Sequence, residues 1–392
     1  MLIGFDVTPI AYSAKKAGYE VFSIDYFGDS DLKALCTFNL SVLRQTEHTS
    51  CGRLSFDLDT SAFLVMAKTL LEHHGVDGVL LSSGFEDDPH FLSALNKLAP
   101  IIGNRPSAIR HVRDKEAFFT ELRRIGVDHP DTEFVRDLGE AKKKARDIGY
   151  PVIIKPEKTM GGYGLRQVAD VAKLEATFEA IPFGKRFLIQ EYVAGRAASA
   201  SVISTASNVI VLTVNEQILG KRDLGQQEPF GYCGNIVPFE LEPSIVERSR
   251  ETIKKTIRHF QLIGSNGVDF VITEGGVPKV VEVNPRFQGT LECVERTLSI
   301  NLVQSHIEAC TAGVLPTIGT VTGFCVRLIL YALKRSRIPL LDGIVGIKDI
   351  PFVGTVIEEG EPLCSVIAQS SSRSGALRKA RRLANSIYSR IP

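Results

Sequence analysis

The chain has 392 residues, of which 44% are hydrophobic and 23% charged, so its composition is that of an ordinary globular protein. This length exceeds one core, and about two to four packed units are expected. Lys and Arg number 46 and Asp and Glu 45, so the net charge of +1 gives no case for binding to nucleic acid. No apolar run approaches the roughly 20 residues that a membrane-spanning helix needs.

The cysteines and the N-terminus indicate the compartment. The seven cysteines are scattered and none is spaced as Cys-x-x-Cys, which favours reduced thiols over disulfides or a zinc site. The first six residues, MLIGFD, predict a strand and lack the basic start of a secretory signal. We therefore expect a cytoplasmic protein that is not bound to a membrane.

The first unit, residues 1–105, alternates short apolar runs with helical patterns. The predicted elements are strands at residues 2–5, 21–25 and 78–82 and helices over 11–16 and 63–73. Such alternation is typical of a parallel sheet covered by helices. Ligands of these sheets bind at the carboxyl ends of the strands, where residues 25–29 and 82–86 fall. Ordinary turn chemistry explains these two segments equally well.

Residues 106–315 predict a second unit with two lobes, 106–184 and 185–315, and residues 316–392 a third. The expected helices are 113–124, 139–148, 243–260 and a basic C-terminal helix at 373–390. The expected strands are 150–155, then 187–192, 200–204 and 209–214 as an antiparallel group, and two more near residue 327 and at 354–358. Residues 265–273 and 279–283 predict a hairpin.

The predicted hairpin carries acids inside apolar strands. Asp269 and Glu282 interrupt apolar runs, and Asn284 and Arg286 follow Glu282 on the same strand face. Because two facing acids repel in a buried site, a shared cation is the natural compensation, and Mg²⁺ prefers such oxygen ligands. We expect Asp269, Glu282 and Asn284 to bind this metal, while Arg286 neutralises a phosphoryl group or holds a carboxylate. A structural salt bridge between one acid and Arg286 is the alternative.

A second candidate site follows a predicted buried strand. Lys155 ends this strand and precedes a glycine loop, residues 159–164, that contains Gly161, Gly162 and Gly164. Glycines let backbone N–H groups approach phosphate oxygens closely, and the lysine adds a point charge. The loop is neither a Walker A motif nor a dinucleotide-binding fingerprint. A plain hairpin loop is the alternative.

A third candidate is an apolar strand that runs into a polar hinge near residue 193. A hinge of this kind offers backbone donors and acceptors to an adenine edge. The candidate residues are Gln190, Glu191, Tyr192 and Val193. An ordinary edge strand is the alternative.

The order and spacing of Lys115, Lys155, the glycine loop, residues 190–193 and the acids of the hairpin resemble the ATP-grasp superfamily over about residues 105–310. The resemblance implies an α/β and α+β chain with an ATP-grasp fold, an N-terminal parallel-sheet domain and a small β-rich C-terminal domain. It also implies that ATP lies between two lobes.

The resemblance assigns roles to these residues. Lys115, Lys155 and the glycine loop would contact the phosphates, and the backbones of Glu191 and Val193 would hold adenine. Mg²⁺, for which Mn²⁺ can substitute, would be bound by the acids of the hairpin and Asn284. Residues 221–227 and 230–235 are expected to form a loop over the substrate, with Lys221 or Arg222 reaching the γ-phosphate; a surface loop is the alternative.

Residues 284–288 and 325–328 resemble biotin carboxylase, a member of this superfamily with two active-site arginines. Thr290 stands where the carboxylase has a glutamate that deprotonates bicarbonate. This departure implies that Arg286, Arg327 and Gln288 hold a substrate carboxylate rather than bicarbonate. The sequence also differs from the superfamily at residues 196–198, where many relatives have an acid that binds the ribose of ATP.

We therefore expect an ATP-dependent carboxylate–amine ligase that forms an amide through an acyl phosphate and converts ATP to ADP and phosphate. A role in coenzyme biosynthesis is considered. The expected partners are a small-molecule carboxylate and an amine, with no nucleic acid and no membrane, and a homodimer is considered. Two alternatives stay open, a bicarbonate-using carboxylase and a nucleotide-binding regulator without turnover. The intact set of metal ligands argues against the regulator.

Overall fold

The computed structural model describes residues 1–54, 59–157, 161–180 and 186–392. The first elements are β1 (Leu2–Ile3), α1 (Thr8–Lys16), β2 (Phe22–Asp25), α2 (Ser30–Leu35), β3 (Phe38–Ser41), α3 (Thr60–His73), β4 (Leu80–Leu81), α4 (Pro89–Leu98) and α5 (Pro106–Arg113). The strands form a parallel sheet in the order β3-β2-β1-β4. This sheet confirms the parallel arrangement predicted for the N-terminal part.

A second sheet has four antiparallel strands in the middle of the chain. The elements are α6 (Lys115–Arg124), β5 (Thr132–Val135), α7 (Leu138–Ile148), β6 (Val152–Pro156), β7 (Arg166–Val168), α8 (Val171–Glu179) and β8 (Phe187–Glu191). The strand order is β5-β8-β6-β7. Apolar side chains of α7 and α8 pack with those of the strands into one core.

The largest sheet has eight strands and extends to the C-terminal part. Its part of the chain contains β9 (Gly195–Ser204), β10 (Val209–Leu219), β11 (Tyr232–Val237), α9 (Pro243–His259), β12 (Gly264–Thr273), β13 (Pro278–Asn284), α10 (Leu291–Leu298), α11 (Leu302–Thr311), β14 (Phe324–Tyr331), β15 (Ser336–Arg337), β16 (Ile347–Lys348), β17 (Val356–Ile357), β18 (Pro362–Ser370) and α12 (Arg373–Tyr388). The order is β13-β12-β9-β10-β11-β14-β18-β16, and β15 and β17 form a separate pair.

Alternation along β12 separates a packed face from a polar face. Val268 and Phe270 are buried in a core that also contains Ile257 of α9. Because successive side chains of a strand point to opposite faces, Asp269 between them faces the other way. Its neighbour across the ladder to β9 is Ser199, which is also polar. The sheet thus presents a polar row opposite its hydrophobic core.

A helix cap lies between two cationic residues, Arg113 and Lys115, that contact the candidate site described below. Asp114 separates α5, which ends at Arg113, from α6, which begins at Lys115. The Asp114 carboxylate accepts a hydrogen bond from the Ala117 N–H at 3.1 Å, a typical N-cap contact that stabilises a helix by about 1 kcal/mol. The break between the two helices therefore has a sequence-encoded position.

Three expectations differ from the structure. The group predicted at 187–192, 200–204 and 209–214 is split, because β8 belongs to the four-stranded sheet whereas β9 and β10 pair antiparallel in the eight-stranded one. Part of the loop predicted at 230–235 is strand β11, paired on both sides. A separate helix, α5, precedes the predicted helix start. The eight-stranded sheet continues past residue 315, and the three-unit division remains a prediction.

The hairpin and the long helix before it agree with the expectations. β12 and β13 pair antiparallel, and α9 ends one residue before the predicted position. Among the described residues, no helix is both long enough and apolar enough to cross a membrane.

Candidate active site

A cavity of about 1280 Å³ is lined by residues of the four-stranded and eight-stranded sheets and by segments that follow strands of the parallel sheet. Both segments that follow N-terminal strands reach it, through residues such as Asp29 and Glu86. The predicted site residues in its lining are Lys155, Gly161, Gly162, Gln190, Glu191, Tyr192, Val193, Asp269, Glu282, Asn284, Arg286, Gln288 and Arg327. Lys115 and Gly164 are predicted site residues outside this lining, although Lys115 contacts a lining residue directly.

The two predicted metal acids lie side by side across the hairpin. Asp269 of β12 is the register partner of Glu282 of β13, and a bulge follows Asp269. On its other side Asp269 pairs with Ser199 of β9. Since ladder hydrogen bonds fix both strands, the two carboxylates are held close together on the polar face of the sheet.

Glu282 is surrounded by cations. Its Oε1 accepts a hydrogen bond from Lys115 Nζ at 2.8 Å, and Arg113 Nη1 contacts the same oxygen. Burial alone would raise the pKa of Glu282, but Lys115, Arg113 and Lys155 outweigh burial and hold this pKa well below its ordinary value. Glu282 is therefore ionised throughout the neutral pH range.

Asp269 has a more polar but less positive environment. It accepts hydrogen bonds from Gln217 Nε2 and from Asn284 Nδ2, both at 2.9 Å. Burial, together with the neighbouring charge of Glu282, raises the pKa of Asp269 to about 6. A cation between Asp269 and Glu282 would remove this repulsion.

The donor set fits Mg²⁺, which prefers carboxylate and carbonyl oxygens. Within the described part of the chain both cations contact Oε1 of Glu282, so Oε2 is the oxygen left to a metal. Asn284 presents its amide nitrogen to Asp269, and its amide oxygen accepts from Arg286 Nη2 at 3.4 Å. A metal shared with Asp269 requires the opposite amide orientation, which exchanges two nearly equivalent atoms.

Two buried lysines form the cationic side of the site. Lys155 lies near the end of β6 and Lys115 at the start of α6, and both are less than 10% exposed. Burial and the charge of Lys115 lower the pKa of Lys155 to about 8. Burial and Arg113 likewise lower the pKa of Lys115. Because like charges in a buried site oppose each other, an anion such as a nucleotide phosphate would stabilise this group.

The glycine loop packs against the connection between β10 and β11. Its first residues, 159 and 160, lie outside the described residues. Gly161 and Gly162 have φ of 60° and 79°, in the left-handed region. A Cβ on Gly162 would lie 2.1 Å from the Phe230 carbonyl oxygen, and the Gly161 carbonyl accepts from the Tyr232 N–H at 3.0 Å. The loop thus requires glycine both for conformation and for close approach.

The predicted adenine segment lies at the end of β8. The Glu191 carboxylate pairs with Lys279 at 2.7 Å, and the Glu191 N–H donates to the Asp131 carbonyl at 2.7 Å. This N–H is therefore engaged within the protein. The backbone of Val193, beyond the end of the strand, remains the expected donor for an adenine edge.

Arg286 is held by a residue of the N-terminal part. Its Nε contacts Glu86, and its Nη1 donates to the Phe287 carbonyl at 2.9 Å. Burial opposes the ionisation of Glu86, but Arg286 and Arg113 outweigh it and lower the pKa of Glu86. The Gln288 amide donates to the Arg286 carbonyl at 3.0 Å, so Gln288 supports the same turn.

Arg327 is already paired with carboxylates of the protein. Its Nη2 lies 2.6 Å from Asp349 and 3.3 Å from Asp6, and it donates to Ser365 Oγ at 3.1 Å. Two carboxylates of the protein thus share this guanidinium, whereas Arg286 contacts one, so Arg327 has less positive charge to offer a substrate carboxylate. The arrangement therefore weakens the role predicted for Arg327 from the sequence.

Thr290 and Arg222 also depart from an active-site role. Thr290 is buried, and its hydroxyl is hydrogen-bonded to Ser201 Oγ at 2.8 Å, so this side chain is engaged within the protein. Arg222 is exposed in a short 3₁₀ turn and does not line the cavity. The structure thus does not bring Arg222 to the site.

Sequence analysis missed two residues of this site. Arg113 contacts Glu282 and also binds Asp87 in a bidentate manner, with distances of 2.7 Å from Nε and 2.6 Å from Nη2. In the sequence Arg113 indicates only the start of a helix, and Asp87 follows a segment that ordinary turn chemistry explains. The available signal was the position of Asp87 just beyond a predicted parallel strand.

Comparison with known proteins identifies the class. Residues 112–290 match the model of the ATP-grasp domain, so the chain contains this domain, as the sequence predicts. The biotin carboxylase domain of Hydrogenobacter thermophilus 2-oxoglutarate carboxylase has a TM-score of 0.75 at 18% identity, covering 97% of this chain and 88% of that one, and this similarity confirms the fold. The predicted ATP-grasp domain is thus confirmed for this part of the chain, and the match agrees with the predicted enzyme class and with ATP and Mg²⁺ as its cofactors.

Two curated relatives are similar to this chain in sequence. An uncharacterized protein of Methanocaldococcus jannaschii is 28% identical over 389 residues, which cover 99% of this chain and 90% of that protein. The arginine-specific large chain of carbamoyl phosphate synthase from Bacillus subtilis is 26% identical over 266 residues, 66% of this chain. This chain spans about a quarter of the length of that synthase, since the alignment covers 24% of it.

Proposed function

We propose that the protein joins a small-molecule carboxylate to an amine, using ATP to form an acyl phosphate that the amine attacks. The observation that carries this proposal is the convergence of opposite charges in one cavity. Asp269 and Glu282 supply oxygen ligands for a metal, while Lys155 and Arg286 supply positive charge beside them. Such an arrangement suits phosphoryl transfer, which depends mainly on positioning and on neutralising charge.

The nucleotide would occupy the part of the cavity between the four-stranded and eight-stranded sheets. Lys115 and Lys155 would bind its phosphates, and the backbones of Gly161 and Gly162 would approach them closely. Residues 190–193 would border the adenine. Mg²⁺ held by Asp269, Glu282 and Asn284 would neutralise phosphate charge.

Arg286 is the expected anchor for the carboxylate that becomes phosphorylated. Glu86 holds its Nε edge, and Gln288 supports the backbone on which it stands, so the guanidinium has a fixed direction. A carboxylate is a poor electrophile until phosphate becomes its leaving group. The residues therefore act by aligning the carboxylate with the phosphate and by excluding other geometries.

Bicarbonate is the second candidate for the carboxylate. The Hydrogenobacter structure is described as a complex with ADP, magnesium and bicarbonate, and its fold is shared by this chain. Thr290 argues for a different carboxylate, because its hydroxyl, which is hydrogen-bonded to Ser201, is not a base at neutral pH and cannot deprotonate bicarbonate as a glutamate does. An organic acid is therefore favoured.

The test is a matrix of amines against organic acids and bicarbonate, with release of ADP and phosphate as the measurement. We expect ADP formation to require one acid and one amine together. Dependence on bicarbonate would favour the second candidate. Binding of ATP without turnover under every combination would contradict the ligase proposal.

A further inference from the structure

One end of the cavity lies beyond the carboxyl ends of the N-terminal strands and is lined by acidic residues. Asp6 follows β1, Asp29 follows β2, and Asp349 lies in the connection after β16, and all three line the cavity. We refer to Asp6, Asp29 and Asp349 as the acidic end. The part of the same cavity proposed for the nucleotide differs, because it is lined by the cationic residues Lys155 and Arg113.

Carboxyl groups outnumber the cations that contact them at the acidic end. Arg327 is the cation that contacts it, and this guanidinium is shared between Asp6 and Asp349. Asp29 accepts a hydrogen bond from the neutral Gln45 side chain at 2.8 Å. Burial and then Asp349 raise the pKa of Asp6 to about 7, and burial with Asp349 also raises that of Asp29.

Two nearby lysines have other contacts. Lys348 Nζ lies 3.1 Å from the centroid of the Tyr12 ring and 3.4 Å from Glu292. Lys33 Nζ lies 4.4 Å from the centroid of the Phe352 ring. A positively charged ligand at the acidic end would therefore stabilise the ionised form of these crowded carboxyl groups.

Polar atoms of this network have no partner within the described residues. Asp349 Oδ1 is inaccessible to solvent and accepts no hydrogen bond from the described residues. Arg327 Nε is also unpaired among them, and the Arg327 side chain is only 5% exposed. Buried polar groups are normally satisfied in native proteins. The unpaired acceptor Asp349 Oδ1 is the second indication, independent of the charge, that a hydrogen-bond donor of a ligand completes this end, whereas Arg327 Nε is a donor that an ammonium cannot satisfy.

Aromatic rings line the same end of the cavity. The rings of Phe5 and Tyr26 are stacked with centroids 4.6 Å apart, and Phe27 meets Phe5 edge-on at 5.2 Å. Aromatic faces attract organic cations and accommodate apolar groups, which carboxylates alone do not. A cavity end lined by both acids and aromatic rings is therefore suited to an organic ammonium rather than to a hydrated metal ion.

We infer that the acidic end binds the second substrate as a primary ammonium cation carrying an apolar or aromatic group. This inference rests on the proposed ligase function, in which an amine must lie in the same cavity as the activated carboxylate. Arg327 then acts as a positioning residue that holds Asp6 and Asp349. The cavity would thus have an anion-binding end and a cation-binding end.

The first experiment measures binding without turnover. Calorimetry in the presence of Mg-ADP compares phenethylammonium with neutral 2-phenylethanol and anionic 3-phenylpropionate. We expect phenethylammonium to bind at least about tenfold more tightly than 2-phenylethanol. Equal affinities, or no binding of phenethylammonium, would overturn the inference.

Variants locate the binding. Asp29→Asn keeps the acceptor for Gln45 and should weaken phenethylammonium at least about tenfold, whereas Asp342→Asn, the same change at an exposed acid, should not. Tyr26→Leu should remove the preference for phenethylammonium over ethylammonium. Unchanged affinity in both Asp29→Asn and Tyr26→Leu would refute the assignment, and thermal unfolding shows that each variant is folded.

The outcomes separate this inference from the proposed function. Binding that depends on Asp29 while no amine supports ADP release would sustain the ammonium site and refute the ligase. ADP release with an amine whose KM is unaffected by Asp29→Asn would sustain the ligase and refute the ammonium site.

Discussion

Glu282 illustrates how single residues are tuned in this site. Two cations contact one of its oxygens, which keeps it ionised and leaves the other oxygen for a metal. Asp269 is the residue opposite Glu282 on the neighbouring strand. Its pKa is raised to about 6 because it is buried and lies beside the negative charge of Glu282. A cation between the two carboxylates would therefore remove their mutual repulsion.

Glu282→Gln should leave the fold intact and lower kcat for ADP formation by about 100-fold or more, because it removes one anionic ligand of the metal. The Lys115 contact should weaken as well. The measurement is ADP release at saturating ATP and Mg²⁺, with circular dichroism as the control for folding. Turnover within a few-fold of wild type would exclude Glu282 as a metal ligand.

Lys155 gives a prediction about pH. Its pKa is lowered to about 8 in the free protein, and in the proposed role the protonated form would bind phosphate. Affinity for Mg-ADP should therefore be constant below about pH 7 and decline as pH rises through 8. Lys155→Met should bind about tenfold more weakly at pH 7 and lack this decline. A parallel decline in wild type and variant would assign the pH dependence to another group.

At the scale of residues, site residues that lie on one predicted strand could be recognised from the sequence. Site residues contributed by other elements could not. Asp269 and Glu282 were recognisable because acids interrupt apolar runs. Arg113 was not, because its relation to Glu282 and Asp87 depends on how α5 meets the hairpin. The pairing of Arg327 with Asp6, 321 residues away in sequence, was equally inaccessible to local pattern.

At the scale of elements, the glycine loop depends on its neighbour. Gly162 is packed against the Phe230 carbonyl, and Arg166, which follows the loop, contacts Glu228 of the same connection. The loop and the β10–β11 connection therefore form one wall of the cavity. Movement of either should affect nucleotide binding.

Gly162→Ala should weaken Mg-ADP binding more than Gly161→Ala. Both residues have positive φ, which disfavours alanine by about 1 kcal/mol, but a Cβ meets the Phe230 carbonyl only at Gly162 and has open space at Gly161. Calorimetric titration of both variants with Mg-ADP compares them directly. Equal losses of affinity would mean that loop packing does not matter for binding.

Strand pairing marks the limit of prediction for elements. The hairpin of β12 and β13 follows from adjacent strands and a short glycine turn, and it was predicted closely. The placement of β8 in another sheet and the insertion of β11 next to β14 involve partners distant in sequence. Alternation of apolar residues identifies a strand but not its partner.

At the scale of the whole molecule, the cavity combines parts that are far apart in the chain. Glu86 of the N-terminal part holds Arg286, and Asp349 of the C-terminal part holds Arg327. The sequence predicted a nucleotide site between lobes, but the acidic end appears only when the first and last parts of the chain are brought together. Substrate selection is thus expected to reside in those flanking parts.

The most direct test of the central claim follows oxygen from the carboxylate. The acid identified in the substrate matrix is labelled with oxygen-18 in its carboxyl group and supplied with ATP and the amine. Formation of an acyl phosphate predicts one labelled oxygen in each released phosphate, detected by mass spectrometry. Phosphate without label would contradict the account, because the carboxylate would not have been phosphorylated.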